Sequence, residues 1–141
     1  MKVLITGGCG FLGQMIARAI LAKGELRGPD GKLAEVDDIQ LFDTLVPVTP
    51  YAWADKRVST VAGDISDKDT VAGLVDRDDI SVFHLASVVS AGGEKDFDMA
   101  MRVNLQGGLN ILEAARAREG TPRLVFSSSL AVFGGAGAAP Q

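Results

Sequence analysis

The sequence predicts an α/β fold, with helices wound on both faces of a parallel sheet. Short apolar runs alternate with helix-period patterns along the chain, the alternation expected of a parallel α/β sheet. A glycine-rich turn, Gly7-Gly8-Cys9-Gly10-Phe11-Leu12-Gly13, stands between the first run and the first helical pattern. At 141 residues the chain is one domain of ordinary size.

Each element has its own signal. Val3-Leu4-Ile5 is a compact apolar run, as in a strand covered on both faces. Leu12, Ile16, Ala19 and Ile20 recur at helical spacing between Gly10 and Lys23, and Gly24 supplies the stop. Arg27-Gly28-Pro29-Asp30-Gly31-Lys32 is turn chemistry, so residues 25–36 read as an inserted surface excursion. A second strand follows at Asp38 to Asp43 and a third around Val58 to Ala62. Ser66 is placed to cap a short helix from Asp67 to about Val75, with Asp69 at its third position. The fourth strand, Ile80 to Leu85, leads into a loop of small residues. Residues 95–118 read as one long helix, with Phe97, Met101, Asn104, Leu105, Gly108, Leu112 and Ala115 on one apolar stripe. The fifth strand is Arg123 to Ser128. Right-handed crossovers then give the doubly wound sheet the order 3-2-1-4-5.

Composition narrows the function classes. Apolar residues make up 47% and charged residues 23%, which fits neither a disordered tail nor a membrane protein. A net charge of −4 argues against a nucleic-acid surface. The single cysteine, Cys9, excludes a disulfide framework and a multi-cysteine metal site, and no metal is expected. No apolar run approaches the ~20 residues of a bilayer span. The apolar start, Met1 to Gly7, is too short for a signal peptide, so a soluble cytoplasmic domain is expected. Only the tail from Gly134 to Gln141 is low in complexity.

The glycine turn points to a dinucleotide. Gly7 permits the tight turn, Gly10 lets a pyrophosphate approach the backbone, and Gly13 lets the helix pack closely on the sheet. The helix start supplies unpaired N–H groups and positive dipole to phosphates. The plainer alternative is a tight turn without a ligand, with Cys9 a small filler. Asp43 closes the second strand, where a carboxylate can accept the adenosine ribose hydroxyls. It lies farther from the glycines than the usual ~20 residues, and the excursion at 25–36 accounts for the surplus. Thr44 rather than an arginine follows it, and the glycine turn contains no arginine, which favours NAD over NADP. A solvated strand-end carboxylate is the alternative for Asp43.

Taken in order, Thr6 to Gly13, Gly63-Asp64-Ile65, His84-Leu85-Ala86-Ser87, Val103-Asn104-Leu105 and Phe126-Ser127-Ser128-Ser129 resemble successive signatures of the extended short-chain dehydrogenase/reductases, the NAD-dependent epimerase/dehydratase relatives. The resemblance covers nearly the whole chain and implies a Rossmann-type sheet. Val88 to Asn104 is most similar to members that oxidise four-carbon sugar acids such as D-erythronate. The resemblance implies that Phe11 and Leu12 meet the pyrophosphate through their amides, and that Asp64 and Ile65 bracket the adenine. Leu85, Ala86 and Ser87 would admit the cofactor ribose, Asn104 would lie at the nicotinamide end, and Ser127 would border the cofactor. Ser129 matches the catalytic Ser/Thr that binds the reacting oxygen of a small-molecule substrate. Alternatives stay open for Asp64 (a residue at the start of the following helix) and for Asn104 (a structural bond to a neighbouring strand). His84, the only histidine, matches a packed family position rather than a proton shuttle.

The family chemistry also needs a tyrosine acid/base and a lysine four residues later, the lysine lowering the phenol pKa. Here the only tyrosine is Tyr51, and Asp55 stands four residues on. The expectation is therefore an incomplete NAD-binding domain, residues 1–141, lacking the Tyr-x-x-x-Lys helix, the last strands and the substrate domain, and inactive alone. The intact protein would be a homodimer, as the family resemblance implies. A fragment of a nucleotide-sugar epimerase or dehydratase, and a non-enzymatic dinucleotide sensor, are the competing readings.

Overall fold

The computed structural model describes residues 1–133. The expected low-complexity tail from Gly134 onward lies outside the described residues. The elements run β1 (Lys2–Thr6), α1 (Phe11–Lys23), β2 (Glu25–Arg27), β3 (Leu33–Glu35), β4 (Asp38–Asp43), β5 (Val58–Ala62) and α2 (Lys68–Leu74). They continue with β6 (Ile80–His84), α3 (Ser90–Lys95), α4 (Phe97–Ala100), a π-helical segment (Met101–Gln106), α5 (Gly107–Arg116) and β7 (Arg123–Phe126), closing on a 3-10 turn at Leu130–Phe133.

Five strands pair in parallel in the order β5-β4-β1-β6-β7. Counting only these strands in chain order, that is 3-2-1-4-5, the Rossmann arrangement expected. β1 is central because its Val-Leu-Ile run can be buried on both faces, and its residues from Lys2 to Thr6 are all buried. On one face Val3, Ile5, Ile39 and Leu41 pack with Ala17 and Ile20 of α1. On the other, Leu4, Phe42, Ile80 and Val82 pack with Val71 and Leu74 of α2 and Ile111 and Ala114 of α5.

Several local expectations are corrected. The excursion at 25–36 is a small antiparallel hairpin, β2 with β3, and it ends in fully buried Val36 rather than staying at the surface. The covered stripe of α1 is Gly13, Ala17 and Ile20, with Leu12 and Ala19 outside; close packing at Gly13 turns the helix by one position. α2 is capped by Asp67, whose side chain accepts the Thr70 amide at 2.8 Å. Ser66 is unavailable, because its hydroxyl and amide both bond the Asp64 carboxylate. The long helix is three joined pieces beginning at Phe97, where Asp96 caps it through the Met99 amide. Its covered face carries Gly107, Asn110, Ile111 and Ala114. The stripe of Phe97, Met101, Leu105 and Leu112 faces outward.

Lys2 is a further departure from pattern. It sits in an apolar strand and is buried, with Nζ donating to the Leu74 carbonyl and to Asp76 Oδ1, each at 2.8 Å. A buried ammonium is tolerable only with such partners. They tie the start of β1 to the end of α2.

Candidate functional site

A cleft of about 410 Å³ opens at the carboxyl ends of the strands, over the glycine turn. Of the expected site residues, Gly7, Gly10, Asp43, Asp64, Ile65, Leu85, Ala86 and Ser87 line it together. Phe42, Thr44, Gly63, Val88, Met99 and Val103 complete the lining and were not anticipated. Another cleft of about 420 Å³ lies at the opposite edge, beside the hairpin and the start of β7. Open α/β sheets bind ligands at the carboxyl edge, so the glycine-turn cleft is the candidate.

Backbone geometry forces the glycines. Gly7 has φ +66°, a left-handed conformation. A Cβ at Gly13 would lie 2.5 Å from the Gly7 carbonyl oxygen and 2.6 Å from Gly8 Cα, so helix and turn touch backbone to backbone. Gly8 is equally tight, 2.6 Å from the Ile5 carbonyl oxygen and 2.8 Å from Leu41 Cα, which the spacing of the motif did not disclose. Gly10 differs: a Cβ there would meet only the Gly7 oxygen, at 3.2 Å, and otherwise project into open space. The first turn of α1 leaves the amides of Phe11, Leu12 and Gly13 without intrahelical acceptors. The Phe11 and Leu12 side chains themselves point outward.

Asp43 is held against this turn. Its Oδ2 accepts the Cys9 amide at 3.1 Å and its Oδ1 the Thr44 amide at 2.8 Å. The Thr44 hydroxyl also donates to Oδ1, at 3.5 Å, so the open lone-pair direction is on Oδ2. Among the described residues no lysine or arginine lines the cleft.

Cys9 and Tyr51 form a contact that no local pattern could reveal. The Tyr51 hydroxyl and the Cys9 thiol act on each other's titration, and the Tyr51 ring stacks on Trp53 with centroids 5.2 Å apart. Burial pushes the Cys9 thiol up, the Tyr51 hydroxyl pulls it back, and the Asp43 carboxylate pushes it up again. Burial, with the bond to Cys9, pushes Tyr51 up to about 12. Tyr51 lies on an irregular segment and is committed to the glycine turn.

The opposite wall depends on Thr6. Its Oγ1 accepts the amides of Leu85 and Ala86, both at 3.2 Å, and lies 2.7 Å from His84 Nδ1. His84 is buried, and burial lowers its pKa. It is a packed strut.

Phe11, Leu12 and Gly13 are not among the lining residues, and three more expected residues sit farther along the chain. Asn104 does not line the cleft; its amide is engaged with the Val88 backbone. Ser127 and Ser129 are exposed beyond β7 and outside the cleft lining. The Ser127 amide donates to the His84 carbonyl at 3.1 Å, and the Ser129 carbonyl accepts the Val132 amide. Asp64 lines the cleft, yet its Oδ1 bonds both the amide and the hydroxyl of Ser66, each at 2.8 Å. Ile65 is buried beneath it.

The sequence model of the 3-beta hydroxysteroid dehydrogenase/isomerase family matches residues 4–140. The chain belongs to that family. It falls within the wider NAD-dependent epimerase/dehydratase group whose motifs it carries. It is 45% identical to D-erythronate dehydrogenase of Cupriavidus necator over 96% of this chain and 40% of that protein. Among solved structures, a nucleoside-diphosphate-sugar epimerase from Agrobacterium tumefaciens superposes with a TM-score of 0.79 at 34% identity, covering 94% of this chain and 38% of the other. A uronate dehydrogenase variant from the same organism, solved with NAD, gives 0.67 at 29% identity, covering 91% and 40%. The chain thus spans about 40% of the length of the D-erythronate dehydrogenases of Cupriavidus necator and Haemophilus influenzae. Among the described residues no helix is long and apolar enough to cross a membrane.

Proposed function

We propose that residues 1–141 form the NAD-binding part of an oxidoreductase that oxidises a secondary alcohol of a four-carbon sugar acid such as D-erythronate. The observation that carries the cofactor half of this reading is the fit of the turn. Gly10 leaves room for a pyrophosphate, the α1 start offers amides to it, and Asp43 stands beside the turn with a lone-pair direction on Oδ2 open to a ribose hydroxyl. Its negative charge, with no cation in the cleft lining, disfavours a 2′-phosphate. Bound NAD would supply the hydride acceptor for the carbinol carbon. Ser129 would bind the substrate oxygen, and the Tyr-x-x-x-Lys pair that takes the hydroxyl proton would lie outside residues 1–141. Similarity to D-erythronate dehydrogenase over 96% of the chain supports the substrate class. A nucleotide-sugar epimerase is the second reading, favoured by the TM-score of 0.79 to such an enzyme.

Calorimetric titration tests the cofactor. NAD should bind more tightly than NADP, and Asp43→Ala should erase the difference. Gly10→Val should abolish binding by a folded protein. Equal affinity for both dinucleotides in the unsubstituted protein would overturn the NAD assignment. The substrate is tested in the longer protein, by D-erythronate-dependent NAD reduction against epimerisation of nucleotide sugars.

A further inference from the structure

Two amides on one helix reach two different loops at the rim of the cleft. Asn104 Oδ1 accepts the Val88 amide at 2.7 Å, and its Nδ2 donates to the Val88 carbonyl at 2.9 Å. Both polar groups of a single loop residue are taken by one side chain. Further along, Asn110 is buried; its Nδ2 donates to the carbonyls of Ile65 at 3.1 Å and Ser66 at 2.9 Å. Its Oδ1 accepts Gln106 Nε2 at 2.8 Å, so each polar atom of the amide has a protein partner. Neither asparagine lines the cleft, whereas Val88 and Ile65 both do.

The loops these amides hold are not neighbours. One leaves β5 and the other β6, and β4 and β1 lie between those strands. The sheet holds only the first residues of each loop, where the Gly63 amide donates to the Asp43 carbonyl and the Leu85 amide to the Thr6 carbonyl, and it leaves the separation of Ile65 and Ser66 from Val88 unset. The helix spans the gap. Gly107, between the asparagines, brings the helix against the β5 loop so closely that a Cβ there would lie 2.7 Å from Ile65 Cγ2. The stretch containing Asn104 is π-helical, a wider turn often found at functional sites.

We propose that Asn104 and Asn110 are positioning residues for the dinucleotide, making the helix a spacer that fixes the width of the cleft between the loops at 63–66 and 85–88. This rests on the dinucleotide reading above. Loops held at the bound separation need not be ordered on binding, which is the gain from preorganisation. A spacer makes a specific demand: once one loop is released, the separation is lost, and releasing the other adds little.

The experiment is calorimetric titration of the protein with NAD, alongside urea unfolding, for Asn104→Ala, Gly107→Ala, Asn110→Ser and Asn104→Ala combined with Asn110→Ser. Gly107→Ala removes no hydrogen bond and pushes only on the Ile65 side chain, so it remains informative if Asn110→Ser fails to fold. Asn104→Ala should weaken NAD by about tenfold with almost no change in the unfolding midpoint. Gly107→Ala should weaken it several-fold, and the double variant should lose no more than its worse single. Unchanged affinity in Asn104→Ala and Gly107→Ala would overturn the spacer while leaving the dinucleotide reading intact. Losses that multiply in the double variant would show two independent local bonds and would also overturn it. Failure of the unsubstituted protein to bind NAD would overturn the dinucleotide reading, and the spacer with it.

Discussion

The two flanks of the sheet use the same kinds of side chain to different effect. Around β1 and β4, Val3, Leu4, Ile5, Ile39 and Leu41 are wholly buried. Around α4, α5 and β7, Phe97, Leu105, Leu112 and Phe126 are each more than half exposed. β1 has a strand on either side and helices over both faces, while β7 pairs with β6 alone among the described residues. An apolar stripe therefore says that a face is apolar, and the layers stacked on it decide whether it is core.

Substitutions at the glycine turn should produce the largest effect. Gly13→Ala puts a methyl into backbone atoms that have no rotamer to yield, and should cost about 3 kcal/mol or more. Urea unfolding reads this directly, and a near-neutral result would mean the turn is looser than its contacts indicate. Next, Ile5→Ala should cost about 3–4 kcal/mol, whereas Leu112→Ala should stay within about 0.5 kcal/mol. A Leu112→Ala loss as large as that at Ile5, measured at low protein concentration, would abolish the contrast between the flanks.

Acid should act on the well-packed side. His84 has a pKa lowered by burial, so the unfolded chain takes the proton more readily. Stability should be full above the ordinary imidazole range, near ~6.5, and be lost as pH falls through the lower folded value. NAD affinity should fall in the same window, since protonation competes with the Thr6 hydroxyl that holds the Leu85 and Ala86 amides. Urea midpoints and titrations from pH 8 to pH 5 check both. A smaller step should follow lower down. Bonds from Arg77 and the Met1 amine hold Asp37 at about 2, so its contribution is present above the ordinary carboxylate range and fades as pH drops towards about 2. Asp37→Asn should flatten that last decline. The smallest effect is a gain: Gly73 in α2 has open space around it, and Gly73→Ala should add about 0.5–1 kcal/mol.

Strand positions and sheet order were legible because runs such as Val3 to Ile5 and Ile80 to His84 are signals contained within their own segments. The hairpin was not, since its strands are only 3 residues each and resemble the turn between them. Helix faces were legible only in part. Apolar spacing placed Asn104 on the covered stripe, whereas the buried amide is Asn110, on the face that meets Ile65. Two small residues, Gly107 and Ala114, mark that face, and a hydrophobic pattern undervalues both. The place of Asp43 at a strand end is legible in the sequence, but its bond to the Cys9 amide depends on the register of β1 with β4. The Tyr51–Cys9 contact joins distant parts of the chain through an irregular segment, and periodicity carries no information there.

That last contact gives the molecule an optical channel of its own. The chain has one tryptophan, one tyrosine and one cysteine. Trp53 stacks on Tyr51, the Tyr51 hydroxyl and the Cys9 thiol act on each other's titration, and the Cys9 amide donates to Asp43 at the cleft. Emission from the single indole is therefore wired to the phosphate turn through one phenol. A ligand that shifts Cys9 should also move the ring beneath the fluorophore, and a change in intrinsic emission on titrating NAD, absent in Tyr51→Phe, is the expected sign of it.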